Sequence, residues 1–127
     1  MKTSQLPPQS ESKIQTQIVQ YLQLKKIFFF SVPNEAAGRS KIAQMQLVAM
    51  GLRAGAADLV LFYPAGKVSF MEVKTEKGKQ SKRQENFQRR CEDHGLFYGV
   101  VRNLDDVDEF LCKARLCNAG QDNALDI

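Results

Sequence analysis

The sequence predicts an α/β domain in which one mixed sheet of about four strands is flanked by helices. Helix-period apolar stretches alternate with short apolar runs closed by Pro, Gly or Asn, in the order α-β-α-β-β-α-β-α. A chain of 127 residues can bury one hydrophobic core but not two ordinary ones, so these elements belong to a single unit.

Residues 1–9, with Pro7 and Pro8, read as a flexible lead-in. Ser10 offers a cap to a first helix in which Ile14, Ile18 and Leu22 recur every fourth residue, and Glu11 sits in the first turn. Ile27 to Val32, stopped by Pro33, suits a buried strand. After a polar loop from Asn34 to Arg39, Ser40 caps a helix over about Lys41–Met50, with Ile42, Met45 and Ala49 expected inward and Gly51 ending it. The Gly- and Ala-rich stretch 52–57 reads as a turn. Two strand runs, Asp58–Phe62 and Val68–Thr75, then flank Pro64-Ala65-Gly66-Lys67, the pattern of an antiparallel hairpin. Ser81 opens a helix to about Asp93 that Gly95 stops, Leu96–Val101 is the last strand, and a final helix covers about Asp105–Leu116. The domain is expected over residues 10–117, with 118–127 a flexible tail.

The hydrophobic and charged fractions, 43% and 25%, exclude a disordered or fibrous chain, and no apolar run is long enough to span a bilayer. A cytoplasmic protein without a signal sequence is expected. Three cysteines without CxxC spacing and a single histidine, His94, argue against zinc and against a disulfide framework, with Cys91 and Cys112 expected to pack as small hydrophobes. The net charge of +4 is compatible with a polyanionic partner without requiring one.

Chemistry concentrates at Asp58 and Glu72-Val73-Lys74. Residues two apart in a strand share a face, so Glu72 and Lys74 stand together, and the hairpin can bring Asp58 beside Glu72. Converging carboxylates are hard oxygen donors suited to Mg²⁺ or Mn²⁺. The alternative is an ordinary ion pair on a solvated strand face. Downstream, Lys77, Lys79, Lys82, Arg83, Arg89 and Arg90 outnumber Glu76 and Glu85, which fits either a phosphate-tracking surface or a solvated helix face. Ser81 and Gln84 have capping-box spacing. Asn34 and Arg39 read either as phosphate contacts or as turn chemistry, and His94 as a helix-terminal residue.

Asp58, Glu72-Val73-Lys74, Glu11 on the first helix and Gln84 on the third resemble the PD-(D/E)XK nuclease superfamily. More narrowly, Asn34, Arg39, Gly51, Gly55-Ala56-Ala57-Asp58, Glu72-Val73-Lys74, Ser81, Gln84, Gly95 and Arg102 resemble the virus-type replication-repair nuclease (VRR-NUC) domain, with Ala57 where that family usually has proline. The resemblance, from about Glu11 to Phe110, implies a restriction-endonuclease-like fold and metal-dependent phosphodiester hydrolysis. Asp58, Glu72 and the Val73 carbonyl would hold the metal, Lys74 would activate water and stabilise charge, and Gln84 would orient Lys74 or a water. Glu11 completes the catalytic set, and Asn34, Arg39, Lys77, Lys79, Lys82 and Arg83 would contact DNA. Stand-alone domains of this family are similar to junction-resolving enzymes, which implies a homodimer acting on four-way or other branched DNA. Phe97, Tyr98, Phe110 and Leu111 are interface candidates unless they belong to the core, and a non-catalytic DNA-binding module or a protein-interaction domain is the rival expectation.

Overall fold

The computed structural model describes residues 9–33 and 38–125, with side chains as far as Leu116. The elements are α1 (Glu11–Leu24), β1 (Phe28–Ser31), α2 (Lys41–Ala49), β2 (Leu59–Tyr63), β3 (Lys67–Val73), α3 (Lys82–Asp93), β4 (Phe97–Val101) and α4 (Leu104–Leu125). Their order is the expected one. The four strands form one sheet in chain order, β1-β2-β3-β4, antiparallel across the first two pairs and parallel between β3 and β4. The β2–β3 hairpin turns through a short 3₁₀ segment, Pro64–Gly66, whereas the parallel β3–β4 pair needs a crossover, which α3 supplies.

Period-two alternation sorts the sheet residues onto two faces. Leu59, Leu61, Met71, Val73 and Val101 pack against Ile14, Ile18 and Leu22 of α1 and Val107, Phe110, Leu111 and Ala114 of α4. On the other face α3 covers β3 and β4, with Phe87 edge-on to Phe70 and Tyr98, and Cys91 buried beside Tyr98. Three helices start on hydroxyl caps: Ser10 accepts from the Lys13 N–H, Ser40 from Ala43 and Ser81 from Gln84. Asn103 accepts from the Asp106 N–H at the start of α4.

Four expectations are corrected. β1 is an edge strand rather than a buried one: Phe28 is 70% exposed and Phe30 also lies open, both stacked on Phe62 of β2. Its neighbours on this face belong to the half of the sheet away from α3. In α2 the inward side is Ala43 and Leu47, both half-buried, while Ile42 (71% exposed), Met45 (63% exposed) and Ala49 face out. The large apolar residues misled because they have helical spacing, yet this short helix buries no residue fully. Cys112 is exposed, unlike Cys91, because it sits beside Leu111 on the outer side of α4; the Cys117 side chain lies outside the described residues. Finally, α4 continues to Leu125, past the expected end at Leu116.

Gly55 sets the depth at which the 52–57 turn docks. Its φ of +82° is left-handed, and a Cβ there would overlap the Arg83 carbonyl in the first turn of α3. Glycine therefore lets the backbone leading to Asp58 lie directly on α3. Gly66, with φ +76° and open space where a Cβ would stand, shares the backbone constraint without the clash. Gly55→Ala is expected to lower stability in urea unfolding by about 1–3 kcal/mol more than Gly66→Ala does. Equal losses would mean that the turn yields freely.

Candidate active site

Asp58 immediately precedes β2, where Leu59 pairs with Met71, so it lies across the hairpin from Glu72. Its Oδ2 accepts the Val73 N–H at 2.8 Å, a side-chain carboxylate taking the place of a ladder carbonyl as β2 begins. The Asp58 carbonyl accepts from the Val32 N–H at 2.8 Å, which ties the same residue to the end of β1. Because N–H and C=O of one strand residue point to the same side, the Val73 carbonyl opens toward Asp58 as well.

Glu72 is 1% exposed and Lys74 7% exposed, which removes the solvated-face alternative. The Lys74 Nζ lies 3.7 Å from Glu11 Oε2, so the first turn of α1 contributes a half-exposed carboxylate to the group. Glu11 is thus placed beside Lys74, its ion-pair partner.

Gln84 has both ends of its amide committed. Oε1 accepts from the Ser81 N–H at 2.8 Å, completing the capping box, while Nε2 donates to Glu72 Oε2 at 2.9 Å. The capping-box reading of Gln84 therefore holds, and its amide reaches Glu72 rather than Lys74 or a water. The other carboxylate oxygen, Glu72 Oε1, is buried without a hydrogen-bond partner among the described residues. Burial, reinforced by the Asp58 charge and opposed by Lys74, pushes the Glu72 carboxyl up to about 9.

A cleft of about 370 Å³ opens beside Asp58, lined by Gln44 and Val48 of α2, Arg53 and Gly55 of the turn, and Ser81, Arg83 and Gln84 at the start of α3. Arg83 is thus placed in the cleft. Lys82 is exposed beside it, and Lys77 and Lys79 lie on the loop between β3 and α3, both exposed. Arg89 and Arg90 lie exposed further along α3, and neither lines the cleft. Arg53 escaped notice in the sequence because its turn stands out only for glycine and alanine; a cation five positions before Asp58 was the available signal. Arg39 is exposed ahead of α2, its carbonyl accepting from Gln44 Nε2, whereas Asn34 lies outside the described residues. His94 is the C-cap of α3, its Nδ1 2.7 Å from the Arg90 carbonyl, as expected for a helix-terminal residue.

The donor set suits a hard cation. Asp58, Glu72 and the Val73 carbonyl offer oxygen only, and the orphaned Glu72 Oε1 is a buried acceptor that a cation would satisfy. Among the described residues no group of three or more His, Cys, Asp or Glu converges, so water and substrate oxygens would complete the shell, as Mg²⁺ tolerates.

The raised Glu72 value has a signed consequence for metal-free protein. Between the usual carboxylate range and about 9, the folded state holds a proton that the unfolded chain has lost, so stability falls as pH rises through that window. The slope expected from this group is on the order of 1 kcal/mol per pH unit. Glu72→Gln should flatten it and raise the urea midpoint at alkaline pH. A mutant with the same pH slope as the wild type would show that Glu72 is ionised when metal-free.

Residues 9–103 match the VRR-NUC domain family. No curated protein sequence matches the chain. One similar solved structure, a VRR-NUC domain, superposes with a TM-score of 0.56 at 24% identity, covering 80% of this chain and 92% of the other. Another, a VRR-NUC domain protein, gives a TM-score of 0.68 at 18% identity, with 86% and 90% covered. At these identities the structural likeness shows the fold, and the family match spans most of the length. The chain belongs to the VRR-NUC family and carries its nuclease-type α/β fold.

Proposed function

We propose that this domain is an endonuclease that hydrolyses DNA phosphodiester bonds with Mg²⁺ or Mn²⁺ held by Asp58, Glu72 and the Val73 carbonyl. The observation that carries this reading is the buried Glu72 carboxyl, whose Oε1 has no hydrogen-bond partner among the described residues, set across the hairpin from Asp58, which lines a cleft flanked by Arg53 and Arg83. A purely structural ion pair has no use for an orphaned acceptor, and a purely phosphate-binding face gains nothing from two carboxylates.

The bound cation would supply Lewis acidity toward the phosphate and lower the pKa of water. Gln84 fixes the Glu72 carboxylate in one orientation. Lys74 presents an ammonium that positions the attacking water and stabilises negative charge developing on the phosphoryl oxygens, and Glu11 pairs with it at 3.7 Å. Arg53, Arg83, Lys77, Lys79 and Lys82 contact the phosphate backbone, with Arg39 extending that surface and Asn34 a further contact proposed from the sequence alone.

The substrate we favour is a four-way junction or other branched DNA, because a cleft bordered by exposed cations reads backbone shape rather than base edges. The protein acting as a homodimer belongs to the same proposal. The interface candidates drawn from the sequence do not serve it: Tyr98, Phe110 and Leu111 are core, and Phe97 packs edge-on against Phe110. Exposed apolar surface lies instead on Phe28 and Phe30 of β1 and on Ile42, Met45 and Val48 of α2.

Asp58→Asn, Glu72→Gln and Lys74→Ala should each reduce cleavage of a four-way junction by at least about a hundredfold while folded protein is retained. Near-normal turnover in any two of them would refute the assigned site. The carboxylate variants should still bind the junction without metal, since each removes an anion close to phosphate. Separately, Arg53→Gln with Arg83→Gln should lower the log–log salt slope of duplex binding by up to about 0.9 per lost contact. An unchanged slope would place DNA elsewhere.

A further inference from the structure

Arg102 directly follows β4, and its side chain reaches back across the end of β3. Its Nη1 donates to the Thr75 carbonyl at 2.6 Å and the Gly78 carbonyl at 2.7 Å, with the Glu76 carbonyl at 3.3 Å. Three carbonyls of one turn therefore converge on one guanidinium nitrogen, directly after the Glu72-Val73-Lys74 segment. The turn is tight: the Gly78 N–H donates to the Thr75 carbonyl at 3.1 Å, and a Cβ at residue 78 would stand 2.8 Å from Thr75 Oγ1 and 3.5 Å from Lys74 Cδ. The arginine itself is anchored, because its backbone N–H donates to Asp106 Oδ2 at 2.9 Å, and the Asp106 N–H is in turn held by Asn103 Oδ1 at 2.8 Å.

We infer that Arg102 is a positioning residue that clamps the 75–80 loop and so presents Lys77 and Lys79 to the DNA backbone in one fixed arrangement. The part that concerns DNA rests on the nuclease reading above; the clamp does not. Neither lysine is buried, and the loop that bears them has Gly78 between the two, so neither side chain can order the loop by packing. A guanidinium beneath satisfies the inward carbonyls, whose loss would leave acceptors facing the end of the sheet without a donor. The charge also makes these hydrogen bonds stronger than neutral ones, which a loop carrying two mutually repelling lysines needs. Among the described residues the hydrogen bonds of the Arg102 side chain go to loop carbonyls rather than to Asp58 or Glu72, so its effect on chemistry runs through the loop.

The test combines hydrogen exchange and DNA binding in the full chain, using Arg102→Gln, Arg102→Lys and Lys77→Gln with Lys79→Gln. Arg102→Gln is expected to speed amide exchange at Gly78 and its loop neighbours in protein free of metal and DNA, with core amides of β2 and α1 unchanged. Arg102→Lys, which keeps a cation with three donors, should restore part of the protection. On duplex DNA, Arg102→Gln should weaken binding and lower the log–log salt slope by about 1–2, as the double lysine variant does. Adding the lysine changes to Arg102→Gln should cost little more, since the two act on the same contacts. At saturating junction, kcat should stay within about threefold of wild type while KM rises. Wild-type exchange in the loop, a wild-type salt slope with a loosened loop, or fully additive losses would each overturn the inference. Should Arg102→Gln not fold, Gly78→Ala loosens the same loop from the Thr75 side and must give the same exchange and slope changes. A wild-type protein that binds no DNA would sink the nuclease reading, and the exchange result would then decide the clamp by itself.

Discussion

A carboxylate buried in a sheet interior has to be neutralised, hydrogen-bonded or bound to an ion, and Glu72 is only half provided for. Gln84 satisfies Oε2, Asp58 stands close enough to oppose its ionisation, and Oε1 has no hydrogen-bond partner among the described residues. The surrounding structure holds that unresolved acceptor in place. The Asp58 side chain is locked by the Val73 N–H, α3 is docked through Gly55 so that Gln84 reaches the strand, and Ser81 and Gln84 satisfy one another at the helix start. Each of these is a local rule of folding that also fixes a site atom. Stability is given up at one residue, where a carboxyl group is held preorganised.

Much of this is legible in the sequence because the relevant signals are periodic or local. Alternation in Glu72-Val73-Lys74 puts the two charges on one face, hairpin punctuation at Pro64-Ala65-Gly66 brings Asp58 opposite, and the Ser81/Gln84 spacing implies the capping box. Coverage of the sheet is not legible. Whether Phe28 and Phe30 meet a helix or water depends on where α3 comes to rest, which their own period-two pattern does not encode. The same holds for α2, whose spacing predicts a helix correctly while leaving the direction of its apolar side undetermined. The roles of Arg53 and Arg102 are hidden for a related reason: each acts at a distance in sequence, one across a turn into a cleft and the other across strands onto carbonyls.

The two sides of the sheet divide the work. The face packed by α1 and α4 is a continuous aliphatic core and makes the domain cohesive. The opposite face carries Glu72, and its covering helix α3 leaves room at the strand ends for the cleft lined by Arg53, Asp58 and Arg83. Asp58, Glu72 and Lys74 stand where β2 begins and β3 ends, which on the proposed function leaves them within reach of substrate. Among the described residues no helix is long and apolar enough to cross a membrane.

Calorimetric titration of Mn²⁺ into metal-free protein at about pH 7.5, repeated in two buffers of different ionisation enthalpy, tests the central claim most directly because it counts protons at the site. If Glu72 waits protonated beside Asp58 and yields its proton to a cation, binding releases about one proton, and Glu72→Gln abolishes the release together with tight binding. Binding with no proton release, or an undiminished release from Glu72→Gln, would contradict the account.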